Sequence, residues 1–174
     1  MNQETVNRCA AELTSLLEQL VGLQKTLHGV IGEKLGAMRR CDTEAMMSAA
    51  QREGQIASSA SALDERRQQI VAELCEALGI RKPATTKYVT LRALGTRLEE
   101  SVREPLMRLG DSLREWMLKV AESNRVVEMV CRELLSHFKV VFAAFTQNDD
   151  GPGTYSRGGA VEAGNGVKVL DAMG

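Results

Sequence analysis

Aromatic residues make up only 3% of this 174-residue chain, although its hydrophobic fraction of 44% is ordinary for a globular protein. A core of this kind must be built from leucine, valine, alanine and methionine, which is common in helical bundles. Long apolar runs are missing as well. No stretch approaches the roughly 20 apolar residues of a membrane span, and the polar start from Met1 to Arg8 does not resemble a signal peptide. These absences predict a cytoplasmic protein.

The chain has little excess charge of either sign. Its 22 basic and 23 acidic residues leave a net charge of -1. The pairs Arg39-Arg40 and Arg66-Arg67 do not form a concentrated basic face, which a nucleic-acid-binding protein needs to neutralise phosphates. We therefore expect no nucleic-acid partner.

Residues that carry catalysis or bind metals are also scarce. There are two histidines, His28 and His137, and four cysteines without a CxxC pair. We expect the cysteines to be small buried apolar residues in a reducing cytosol. The motifs HExxH, GxGxxG, GxSxG and the P-loop are all missing. An alternative function is that of a helical-bundle enzyme or metal site, which needs inward-facing Glu and Glu-x-x-His ligands. The scarcity of histidine argues against this alternative. The sequence predicts no enzymatic activity, cofactor, metal or small-molecule substrate.

What the chain does have is helical periodicity. Apolar residues recur at steps of three and four from about Glu4 to Met38, and again from Asp42 to Leu78. Asp42 is a good N-cap for the second helix, and Gly79 is a good stop. Because the connection between these helices is short, they are predicted to form an antiparallel hairpin.

The region after the hairpin predicts one short and one long helix. Thr85 and Thr86 are candidate caps for a helix over about 87–100, and Pro105 favours a new helix start at about Glu104. The periodic pattern then continues to Phe145. Asn124 occupies an apolar position of this pattern. It either fixes the register of a coiled coil or reaches water near a bundle end.

The first helix contains four glycines, each of which costs about 1 kcal/mol relative to alanine in a helix. If the turn lies near residues 39–42, Gly36 faces Ala45, Gly32 faces Ala49 and Gly22 faces Ser59. Small residues would then oppose small residues, and we favour a close approach of the two backbones. The alternative is that the glycines leave a groove for a partner helix.

The pattern changes after Phe145. Residues 146–174 are rich in glycine and cannot bury enough apolar area to order themselves. The predicted fold is therefore all-α: an elongated antiparallel helical bundle or coiled-coil hairpin, with a long C-terminal helix, over residues 1–145, and a flexible, disordered tail over 146–174. Within the tail, Tyr155 is a lone aromatic residue among glycines, and Val167–Met173 is a short apolar run without an assignment.

The last part of the long helix carries more apolar side chains than one buried face needs. They lie between Val126 and Phe145 and cover more than one side of the helix. Either other helices of the bundle or a dimer mate cover this surface, or an amphipathic partner helix does.

Four local features resemble FlgN-type flagellar export chaperones. They are the capped turn Cys41-Asp42-Thr43-Glu44-Ala45-Met46, the closure of the second helix by Leu63-x-x-Arg66 with Leu74 and Leu78-Gly79, Asn124 at the start of the apolar end, and the tail sequence Gly153-Thr154-Tyr155-Ser156-Arg157-Gly158. The tail sequence is the most specific of them. The tail of this chain extends further than that motif requires.

The resemblance implies a carrier of hook-associated (hook-filament junction) proteins. Such a chaperone holds these proteins in the cytoplasm, prevents their premature assembly and delivers them to the gate of the flagellar type III export apparatus. Transferred to this chain, the resemblance places export-gate binding at Tyr155. It places cargo binding on the last helix, at Val127, Val130, Leu134, Phe138, Val141, Phe142 and Phe145.

A structural coiled-coil or dimerisation module without a carrier role explains the long helices equally well. Such a module would form a permanent homodimer, and Tyr155 would have no function in it. The sequence leaves monomer and dimer open.

Overall fold

The computed structural model describes residues 3–80 and 89–147. Four helices account for nearly all of these residues, and no strand occurs among them: α1 (Gln3–Arg39), α2 (Thr43–Ala77), α3 (Leu91–Gly95) and α4 (Glu100–Gln147). The predicted all-α class is confirmed. The predicted caps Thr85 and Thr86 lie outside the described residues, as does the tail after Gln147. Helix α3 is instead capped by Thr90, whose side chain accepts a hydrogen bond from the Ala93 amide.

The turn between α1 and α2 satisfies the free backbone groups of both helix ends. The amides of Cys41 and Asp42 donate to the carbonyls of Met38 and Ala37, which is the Schellman arrangement. The Asp42 side chain then accepts from the Ala45 amide at 3.0 Å, so the predicted N-cap is confirmed. Cys41 occupies the left-handed position of this turn, with φ of 55°.

That position favours glycine, because a Cβ atom crowds the backbone in the left-handed region. We expect Cys41→Gly to raise the free energy of unfolding by about 0.5–1 kcal/mol, since the relief of strain exceeds the entropy that glycine gains in the unfolded chain. Thermal and urea unfolding measure the difference. Cys41→Ala is the control, because it removes the thiol but keeps the Cβ, and it should change stability little. Equal stability of all three proteins would contradict the prediction.

Helix α2 ends as the sequence predicts. Gly79 adopts φ of 64°, and its amide donates to the Glu76 carbonyl while the Ile80 amide donates to the Cys75 carbonyl. This is a second Schellman ending with glycine at the left-handed position. Ile80 packs against the core, so the turn also anchors the chain that follows.

The predicted start of the long helix at Glu104 is wrong, because α4 begins at Glu100 and contains Pro105. The carbonyl of Glu99 accepts from the amides of Val102 and Arg103 and so opens the helix. Pro105 has no amide to donate to the carbonyl of Ser101. This loss is tolerated near the helix start, where Ser101 is exposed to water.

One continuous core joins the four helices. It contains apolar residues of α1 and α2 together with Leu94 of α3 and Leu106 of α4. Gln3 contacts Glu99, and further along His28 contacts Trp116, so this part of α4 runs parallel to α1 and antiparallel to α2. The most completely buried large side chains are those of Leu13, Ile31, Ile70, Leu74, Leu94 and Leu106.

The close packing expected at the glycines of α1 is not observed. A Cβ atom built on Gly22, Gly29 or Gly32 meets nothing within 4 Å beyond its own helix backbone and chain neighbours. Ion pairs between longer side chains cross the hairpin instead, among them Lys34–Glu53 and Arg52–Glu33 near the turn.

The cysteines differ from the expectation of four buried residues. Cys9 and Cys75 are buried in the core, whereas Cys41 is exposed and Cys131 is half-buried. Burial raises the pKa of the Cys9 thiol, and the neighbouring Glu73 carboxylate raises it further. Cys9 therefore behaves as an apolar core residue.

The contacts divide the chain into two compact units, Met1–Glu128 and Met129–Gly174. The first unit contains the core described above. Within the second, the described residues form the last part of α4. The division of the chain at residue 145 stays a prediction.

Candidate binding surface on helix α4

From Met129 onward, α4 exposes most of its large apolar side chains. Between residues 132 and 145 every side chain is exposed. The exposed large apolar side chains in this range are Leu134, Leu135, Phe138, Val140, Val141, Phe142 and Phe145, and Met129 just before it is exposed as well. Phe145 and Phe138 are the most exposed, at 75% and 68%. Surface exposure of two phenylalanines seven residues apart indicates a binding surface rather than a scatter of single apolar residues.

Six of these side chains lie on one face of the helix, because each residue advances by about 100°. We call this face the α4 stripe: Leu134, Leu135, Phe138, Val141, Phe142 and Phe145. It covers an arc of about 120°. Val140 lies outside the stripe and is also exposed, so the apolar surface is wider than the stripe itself. A wide apolar strip on a regular helix fits the apolar face of another helix.

The polar residues around the α4 stripe carry few charges. At about 100° per residue, Lys139 and Arg132 lie beyond one edge of it, His137 and Glu133 lie beyond the other, and Ser136 lies on the far side of the helix. With so few charges, contact with this face would bury mainly apolar area.

The seven residues predicted to bind cargo differ in how exposed they are. Val127 is buried, with 9% of its surface exposed, and Val130 is half-buried. Leu134, Phe138, Val141, Phe142 and Phe145 lie together on the α4 stripe. Asn124 is exposed in the single chain, which agrees with the alternative that it reaches water. Tyr155 and Val167–Met173 lie outside the described residues.

The first unit contains a groove that the sequence did not reveal. It has a volume of about 710 Å³ and is lined mainly by apolar residues of α1, α2 and α4, including Leu20, Leu27, Ala60 and Leu113. Asp64 and Arg67 lie at this groove as an ion pair, and the hydrogen bond from Arg67 lowers the pKa of the Asp64 carboxyl. The signal that would have revealed it is the group of small residues Ala57, Ala60 and Ser61 on the inner side of α2.

Neither a metal site nor a membrane-spanning helix is found in the described part of the chain. Residues 3–80 and 89–147 contain no group of three or more acidic, histidine or cysteine side chains that could hold a metal ion. Among these same residues, no helix has both the length and the hydropathy to cross a bilayer.

A helical bundle that leaves a helix face apolar and exposed belongs to the class of helical proteins that bind other proteins. A narrower identification comes from the family comparison. The family model described as FlgN protein matches residues 9–163, and the chain belongs to the FlgN family. This family consists of flagellar export chaperones for hook-associated proteins.

The family match covers α1, α2, α3 and α4 and extends past Tyr155. It ends before the apolar run Val167–Met173. No curated protein and no solved structure is significantly similar to the chain.

Proposed function

We propose that this protein carries hook-filament junction proteins in the cytoplasm and that the α4 stripe binds an amphipathic terminal helix of the cargo. The observation that carries the proposal is the exposure of Leu134, Phe138, Val141 and Phe145 on one helix face. Exposed apolar side chains do not stabilise a single chain in water, but a carrier needs such a surface to bind its cargo.

The physical chemistry of the surface suits a reversible complex. Apolar area removed from water contributes about 25 cal/mol per Å². Part of this gain is offset by the entropy lost when the cargo segment folds on binding. The result is a complex that is stable in the cytoplasm and still able to release its cargo.

Binding at the α4 stripe also explains how premature assembly is prevented. An amphipathic terminal segment joins its neighbours in a filament through its apolar face. A chaperone that covers this face blocks that contact until release. We propose that release takes place at the gate of the type III export apparatus, where Tyr155 contacts the gate protein.

Complex formation with cargo tests the proposal directly. The full-length protein is mixed with the C-terminal segment of a hook-filament junction protein, and size exclusion with light scattering measures the masses. A complex containing one copy of each partner is expected. If the protein is a permanent dimer that does not bind the segment at high micromolar concentrations, the structural-module alternative is correct.

Tyr155→Ala should separate cargo binding from delivery. Its affinity for the cargo segment is expected to be unchanged within about twofold, because the α4 stripe remains intact. Export of the hook-filament junction protein should fall by about tenfold, since one aromatic side chain can anchor a small interface. Immunoblots of secreted protein measure export, and Tyr155→Phe is the control that keeps the ring. Normal export by the alanine variant would remove the gate role.

A further inference from the structure

The apolar run near the end of the sequence has no role in the function proposed above. Val167, Val169, Leu170 and Met173 are four of the six large apolar residues that follow Gln147. They follow one another at steps of two, one and three residues, and a helix over these residues would place them within an arc of about 160°. The α4 stripe is also a one-sided apolar helix face, and its side chains are exposed. The chain therefore contains both an exposed apolar helix face and a short segment whose apolar residues would lie on one side of a helix.

We propose that the segment Val167–Met173 covers the α4 stripe of its own chain when no cargo is bound. The segment competes with cargo for the stripe and protects the exposed phenylalanines from unwanted contacts. The part of the proposal that concerns cargo rests on the function proposed above, whereas the contact between segment and stripe does not.

The length of the connecting chain permits this contact. Residues 148–166 separate α4 from the segment, and six of these 19 residues are glycines. A glycine-rich coil of this length spans about 24 Å on average. Along the helix, Gln147 lies only about 14 Å from Phe138 and about 20 Å from Leu134. The segment therefore reaches the whole stripe without stretching the connection.

The tether also favours the chain's own segment over a second copy of the protein. A glycine-rich tether of 19 residues gives an effective concentration in the millimolar range. A second molecule at micromolar concentration is far more dilute.

Leu170→Asp in the full-length protein tests the contact. Ala163→Asp is the matched control, because it adds the same charge to the connecting residues. Without cargo, Leu170→Asp should bind about threefold more of a dye specific for apolar surfaces, since the stripe becomes uncovered. The affinity for the cargo segment should rise about fivefold, because the competing segment no longer occupies the stripe. The control should match the wild type in both measurements.

A cross-linking measurement makes the test independent of dye and cargo. Leu170→Cys in a Cys41→Ser background allows a disulfide with Cys131, which lies along the stripe and is half-buried. It should form within one chain about fivefold faster than with Ser156→Cys, although residue 156 is nearer in the sequence.

The outcomes distinguish this proposal from the carrier function. Increased dye binding without any cargo binding would support the self-contact and reject the carrier. Equal dye binding by wild type and Leu170→Asp would overturn the self-contact, whatever the cargo result. Cross-links that form only between two chains would overturn it in favour of a dimer.

Discussion

Phe138→Asp is expected to weaken cargo binding by about a hundredfold, which corresponds to about 2.8 kcal/mol. Phe138 lies in the middle of the α4 stripe and is 68% exposed, so it has a large area to bury against a partner. The substitution removes this contribution of about 1.5–3 kcal/mol and places a carboxylate in an interface that would have to desolvate it. Isothermal titration calorimetry with the cargo segment measures the change.

Ser136→Asp is the matched control for this experiment. Ser136 lies on the far side of the same helix turn and is exposed, so the same charge is added away from the stripe. Its affinity should equal that of the wild type. Neither variant should change the circular dichroism spectrum or the unfolding temperature, because neither side chain is buried. An unchanged affinity for Phe138→Asp would move the cargo site away from the stripe.

Replacing Gly22, Gly29 and Gly32 together by alanine is expected to stabilise the protein by about 2 kcal/mol. The added methyl groups meet no atom within 4 Å outside the local helix backbone and chain neighbours, so they cause no clash. Alanine also reduces the conformational entropy of the unfolded chain. The unfolding temperature should rise by about 5 °C, which scanning calorimetry measures.

Gly110→Ala is the informative contrast, because it is the same substitution inside a helix. A Cβ atom there would lie 2.6 Å from Cδ2 of Leu91, so the leucine must move. We expect this variant to lose stability by about 1–2 kcal/mol. If the triple variant is also destabilised, the two helices of the hairpin pack more closely at the glycines than the structure shows.

Most of the fold follows from local patterns in the sequence. The periodic apolar positions predict α1, α2 and α4, since one face of each helix must be buried. Asp42 and Gly79 mark helix ends because each supplies a specific backbone interaction. The start of α4 does not follow in this way. Proline favours the first helical turn, but Pro105 lies one turn further inside, and the bonds to the Glu99 carbonyl determine where the helix begins.

Features that depend on the distance between helices were predicted less well. Small residues opposite one another favour close packing at Gly32 and Gly36, but the ion pairs Lys34–Glu53 and Arg52–Glu33 join the helices across that end. Asn124 shows the same limitation, because a position in an apolar repeat does not reveal whether another helix covers it.

The candidate site follows from the sequence in outline. An apolar surface broader than one buried face predicts the exposed end of α4, and the structure places Leu134 to Phe145 there. The position along α4 at which the exposed surface begins was predicted less well, because Val127 continues the same apolar repeat but is buried. Apolar spacing is identical on both sides of this boundary, so periodicity alone does not locate it.

Trp116 is the only tryptophan of the chain, and the ammonium groups of Lys25 and Lys119 lie 5.6 and 4.3 Å from the centroid of its ring. Two of its neighbours, His28 and Lys25, belong to α1. All intrinsic indole emission therefore originates at the junction of α1 and α4. This gives the molecule a built-in optical probe of whether these two helices remain docked, without any attached label.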